Sequence, residues 1–134
     1  MKESLTAGIS KTVRIEINRE RTIDFMGEAC RVYATPELVR DIEMTSRDLL
    51  LEHLDEGEDS VGTRVSIDHM AATLMGMWVD VSVSVSKVQG KMISLEVACN
   101  DAVEAVAKGS HNRFIVNNAV TAERLKAKAA KAGA

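Results

Sequence analysis

Hydrophobic and polar positions alternate at two different periods along this chain, and each change of period marks an element. Residues 12–18 (TVRIEIN) alternate, with Val13, Ile15 and Ile17 on one side, and predict a first strand. Residues 19–33 follow neither period: a charged run, then Phe25-Met26, then Gly27, fitting a turn or a short helical piece. From Thr35 the period lengthens to that of a helix. Thr35 is a residue type that caps, Pro36 suits the first helical position, and Glu37 complements the positive end of the dipole. The predicted helix runs from Thr35 to Leu54, with Gly57 ending it, and Val39, Ile42, Ser46, Leu49 and Leu50 form its stripe.

Beyond Gly57 the period returns to two. In 61–70 (VGTRVSIDHM), Val65, Ile67 and His69 share one face, and Arg64, Ser66 and Asp68 the other. Gly76 marks a turn. Residues 77–88 alternate most cleanly, with Val79, Val81, Val83 and Val85 set against Asp80, Ser82, Ser84 and Ser86. Gln89-Gly90 reads as a hairpin turn, 91–100 as a strand with Ile93, Leu95, Val97 and Cys99 together, and 103–117 as a last strand. Gly109 interrupts that strand, as at a bulge or a close approach to ligand. The Ala/Lys-rich segment 121–134 predicts a peripheral helix or tail. Strands joined by short turns pair antiparallel, so one long helix covering a five-stranded antiparallel sheet is expected, in an α+β fold. The whole of 1–134 reads as a single domain with its core within about 7–117.

Two polar residues sit where these patterns expect apolar ones. With Val39 at the centre of the helical stripe, Glu43 lies only about 40° round from it. A carboxylate there is either a boundary residue paired with Arg47 one turn on, or a base or nucleophile held at the helix–sheet interface. His69 is its counterpart on the sheet, sharing parity with Val65 and Ile67. It reads either as a hydrogen-bonded core residue or as a group that orients, polarises or exchanges a proton. His111 and Arg113 share a strand face beside Gly109, and His53 reads as a capping or boundary residue. Glu37, Asp41 and Glu52 read as solvated helix surface. The three histidines have no zinc spacing, so no metal is expected.

Composition narrows the classes further. Aromatic residues are 3% of the chain, too few for a base-stacking platform. The charge is -3, from 17 basic and 20 acidic side chains, which gives no general attraction to nucleic acid or to anionic lipid. No apolar run is long enough to span a bilayer. Cys30 and Cys99 are too few for a disulfide scaffold and read as two free, largely buried thiols; the cytoplasm is the expected setting.

Four segments, in order, carry a resemblance: VYATPELVRDIE at 32–43, L-x-x-GEDSVGTRVSIDHMAAT at 54–73, VQG at 88–90 and GSHNR at 109–113. Over roughly 7–117 the chain resembles the hot-dog-fold acyl-CoA thioesterases, in particular their fluoroacetyl-CoA thioesterase-like branch. The resemblance implies an active-site threonine at Thr35, a catalytic glutamate at Glu43, a histidine at His69, a glycine at Gly62, and a late-strand arginine at Arg113 that serves substrate or cofactor binding. It also implies a thioester held at the interface of a homodimer, two of which could pair into a tetramer, with coenzyme A entering as part of the substrate and no further cofactor. Where fluoroacetyl-specific members are aromatic just upstream of the threonine, this chain has Ala29 and Cys30, and Pro36 follows Thr35. A strict preference for a fluorinated two-carbon group is therefore not implied. Hydrolysis of an acyl-CoA or related thioester is the leading expectation. A non-enzymatic acyl-CoA or small-ligand binder and a hot-dog hydratase or dehydratase are the alternatives.

Overall fold

The computed structural model describes residues 1–133. Five strands form one antiparallel sheet: β1 (Ser10–Glu16), β4 (Glu58–His69), β5 (Trp78–Gln89), β6 (Met92–Asp101) and β7 (Ala105–Asn117), in the order β1-β5-β6-β7-β4. A separate two-stranded ribbon pairs β2 (Thr22–Ile23) with β3 (Val32–Tyr33). The sheet packs around α1 (Thr35–Leu51), and α2 (Asn118–Lys131) follows β7 with no buried residue. This is the expected arrangement of five antiparallel strands around one long helix.

The alternation in β5 explains the layering. Val79, Val81, Val83 and Val85 are all buried against Leu38, Ile42 and Leu50 of α1 and against Ile93, Leu95 and Ile115 of β6 and β7, in one continuous core. Ser82 and Ser84 look out from the opposite face. The hairpin between β5 and β6 turns through Gly90 and Lys91, where Gly90 holds φ +60°, a conformation that costs a residue with a Cβ. The segment 19–33, unassigned by period, folds into two 3-10 turns, Arg19–Arg21 and Glu28–Cys30, around the β2–β3 ribbon.

The fold departs from expectation at several residues. Helix α1 ends at Leu51, three residues short of Leu54. Its buried face is Leu38, Asp41, Ile42, Thr45, Ser46, Leu49 and Leu50, so the stripe is centred nearer Ile42 than Val39. Asp41 is not solvated surface but 5% exposed, because the Tyr33 hydroxyl and a fork from Nε and Nη2 of Arg21 donate to it. Cys30 is exposed, on the second 3-10 turn, and only Cys99 is buried. Strand β7 runs through Gly109 without interruption. That glycine is required by the neighbouring strand: a Cβ there would lie 2.0 Å from the Ser66 carbonyl oxygen.

Candidate active site

Thr35 opens α1, yet it does not cap it. The N-cap is Ala34, in extended backbone, with no side-chain cap hydrogen bond. The Thr35 hydroxyl is spent across the fold on His69, the last residue of β4, with Oγ1 and Nδ1 2.8 Å apart. The His69 ring meets the edge of Tyr33, with ring centroids 6.2 Å apart and planes 78° to each other. Its Nε2 is buried with no hydrogen-bond partner among the described residues. Burial pushes the imidazole below its ordinary pKa, and the backbone of Ala71 offsets this in part, so the ring is held towards its neutral form.

Thr35 and His69 both line a cleft of about 530 Å³. The rest of the lining is apolar, with Ile23 and Val32 from the ribbon and Met70 and Ala71 from the turn after β4. The ribbon is held in place by the Arg21–Asp41–Tyr33 hydrogen bonds and by Tyr33 N–H donating to the Thr73 carbonyl at 2.8 Å.

Glu43 lies elsewhere, over the other end of β4. Arg47 does not pair with it, because Arg47 donates twice to Asp59, at 2.7 and 2.9 Å. The partner of Glu43 is Arg113, whose Nη1 reaches Glu43 Oε2 at 3.4 Å. The Arg113 side chain is 4% exposed and that of Glu43 44%. Ser60 fixes the guanidinium from beneath: Arg113 donates through Nε to the Ser60 hydroxyl and through Nη2 to its carbonyl, both at 2.7 Å. His111 completes the cluster. Its Nδ1 donates to the Arg64 carbonyl at 2.8 Å, which leaves the Nε2 lone pair facing Arg113 Nη1 at 3.2 Å. Burial first, and then the charge of Arg113, hold His111 below its ordinary pKa, as suits an acceptor. Burial also pushes Arg113 down, opposed by Glu43, but a guanidinium keeps its proton. Gly62 lies directly over this cluster: a Cβ there would stand 2.8 Å from Glu43 Oε2 and 3.2 Å from His111 Cε1.

The structure thus brings the sequence-predicted residues together in two groups, Thr35 with His69 and Glu43 with Gly62 and Arg113. Eight residues of helix separate Thr35 from Glu43, about 12 Å of rise. Seven residues of strand separate Gly62 from His69, about 23 Å. Two residues of these groups escaped the sequence reading: Tyr33 carried only its place within the threonine segment, and Ser60 no signal. His111 was read on one strand face with Arg113 but was given no role in the site.

The arrangement resembles known proteins in sequence and in shape. Residues 17–119 match the family described as FlK, fluoroacetyl-CoA-specific thioesterase. The fluoroacetyl-CoA thioesterase of Streptantibioticus cattleyicolor is 31% identical over 86 residues, a match spanning 64% of this chain and 62% of that protein. The match therefore falls short of two thirds of that relative's length. A hot-dog-like protein from Thermanaerovibrio acidaminovorans superposes with a TM-score of 0.84 at 22% identity, covering 91% of each chain. The fluoroacetyl-CoA thioesterase FlK superposes with a TM-score of 0.85 at 24% identity, covering 94% of this chain and 98% of that one. At such identities the superpositions establish the hot-dog fold. The family match covers most of the chain, including Thr35, Glu43, Gly62, His69 and Arg113. The chain belongs to the FlK family of fluoroacetyl-CoA-specific thioesterases.

Proposed function

We propose that this chain hydrolyses an acyl-CoA thioester to the free acid and coenzyme A, at a site shared between two copies of itself. The observation that carries the reading is the Thr35–His69 hydrogen bond in the lining of an otherwise largely apolar cleft. A carbonyl placed there would have a hydroxyl and a ring nitrogen beside it and hydrocarbon along its tail.

Glu43 reaches such a carbonyl from a second copy. Strand β4 is an edge of the sheet, twelve residues long, and an open edge of that length invites pairing. Two β4 edges paired antiparallel with Ser66 opposite Ser66, and with Thr63 passed over at the bulge between Gly62 and Arg64, set Gly62 of one copy opposite His69 of the other. The Glu43 carboxylate lies against Gly62, so the register joins the two groups that one chain keeps apart. In this reading Glu43, aimed by Arg113, takes a proton from a water that attacks the thioester carbonyl. A C–O bond forms, the C–S bond breaks, and the proton returns to the departing sulfur. Thr35 and His69 steady the oxygen and the leaving thiolate. Gly62 leaves room over the carboxylate. Coenzyme A is part of the substrate and no further cofactor enters. The proposed setting is the cytoplasm, where Cys30 and Cys99 stay as free thiols.

Thiol release from a panel of acyl-CoAs tests the reading. Glu43→Gln keeps side-chain volume and should lower kcat/KM on the order of 100-fold or more, the scale of a lost general base. Its melting temperature should match the wild type. A folded Glu43→Gln protein with near wild-type turnover would remove the assignment. Saturable acyl-CoA binding with no thiol release would make the protein a binder instead, and water addition to an enoyl-CoA would make it a hydratase.

A further inference from the structure

The cleft beside Thr35 and His69 carries information about the acyl group, because the side chains that line it are apolar except for Thr35, His69 and the Tyr33 hydroxyl. Ile23, Phe25, Val32, Met70 and Ala71 supply hydrocarbon along its length. Tyr33 lines it too, but the Tyr33 hydroxyl is turned away to donate to Asp41, which leaves ring carbon towards the cleft. The guanidinium groups of the flanking segment are also occupied. Arg21 donates through Nε and Nη2 to the two Asp41 oxygens, and Arg31 is held by Glu28 at 2.8 Å and Asp24 at 3.6 Å. Among the described residues, no lysine or arginine lines the cleft. At its mouth Phe25 is 86% exposed, a large ring left in water unless something apolar covers it.

Size points the same way. The volume of about 530 Å³ falls within the range of small-molecule sites. A two-carbon acyl group displaces little more than two or three waters of about 30 Å³ each, and would leave most of the hydrocarbon wall wet.

Resting on the thioesterase reading, we propose that this cleft is an acyl-chain site for apolar, uncharged acyl groups of about four to eight carbons, whose tail is covered by Ile23, Val32 and Phe25. Two-carbon acyl groups, fluorinated or not, leave this wall unused. Acyl groups ending in a carboxylate meet hydrocarbon with no free cation, so their charge is stripped of water without compensation.

The test measures kcat/KM for fluoroacetyl-, acetyl-, butyryl-, hexanoyl-, octanoyl- and succinyl-CoA. A fully buried methylene is worth about 0.8 kcal/mol, or about 4-fold. An open-sided cleft collects part of that, so hexanoyl-CoA should exceed acetyl-CoA by at least ~10-fold and succinyl-CoA by more. Ala71→Phe, which fills the cleft, should collapse the hexanoyl-to-acetyl ratio towards one. Should that variant fail to fold, Ile23→Ala, which widens the wall, should move the optimum to longer chains. Fluoroacetyl-CoA or acetyl-CoA as the best substrate would overturn the proposal, as would succinyl-CoA equal to hexanoyl-CoA, or a folded Ala71→Phe with an unchanged ratio. If no thioester releases thiol, the hydrolase reading fails by itself. Calorimetric affinities for the same panel then decide this inference: tighter binding with chain length upholds it, and a flat series overturns it.

Discussion

Each end of β4 presents a polar side chain whose partner is chosen by space. At the Gly62 end the Glu43 carboxylate occupies the volume that a Cβ would take, 2.8 Å from where that atom would stand. The nearer obstacle is the end of a flexible, 44% exposed side chain and not backbone, and the His111 ring at 3.2 Å has to give only a few tenths of an ångström, so Gly62→Ala can be absorbed by swinging the carboxylate aside. The expected result is a melting temperature within a few degrees of wild type, with kcat falling at least ~10-fold as Glu43 leaves its setting over Arg113. An unchanged kcat would mean that the position of the Glu43 carboxylate does not matter to turnover. Arg47 shows why the i, i+4 pairing failed: Asp59 offers it a bidentate geometry that Glu43 on the same helix does not, and the stronger fork wins.

At the scale of elements, the β2–β3 ribbon is too short to hold itself. Two pairs of residues make its ladder, and its attachment to α1 depends on Asp41. Asp41→Ala would leave the Tyr33 hydroxyl buried without an acceptor and Arg21 without its carboxylate. Breaking such a buried pair from one side costs about 3 kcal/mol, which urea denaturation would read as a lower midpoint with an unchanged slope. Tyr33→Phe combined with Asp41→Leu removes donor and acceptor together, and Arg21, being partly exposed, can turn to water. The double variant should lose less stability than Asp41→Ala alone. A larger loss would show that packing around Tyr33, and not the polar network, anchors the ribbon.

At the scale of the whole molecule, the sheet has two edges of unequal character. Strand β1 is seven residues long, while β4 is twelve, contains no proline, and exposes Val61 together with the unpaired backbone of its outer side. The proposed pairing of two β4 edges predicts that light scattering at micromolar concentration returns twice the mass of one chain. A single-chain mass across that range would remove the shared site, and with it the approach of Glu43 to His69.

Much of this organisation is local and was legible in the chain. The valines of β5, the helical period of α1 and the parity that joins His69 to Val65 and Ile67 depend on neighbours two to four residues away, which the sequence itself specifies. The importance of Glu43 and His69 was legible for the same reason, as polar residues breaking an apolar period. Partner choice was not. Thr35 resembles a cap but bonds His69, Asp41 resembles surface but takes Tyr33 and Arg21, and Gly109 resembles a bulge but clears the Ser66 carbonyl. In each case the deciding group is eight or more residues away in sequence and is brought near only when helix and sheet close on one another. Periodicity determines which face a residue occupies; the tertiary structure decides which atoms it meets there, because hydrogen bonds and steric exclusion act over a few ångströms of space whatever the distance along the chain.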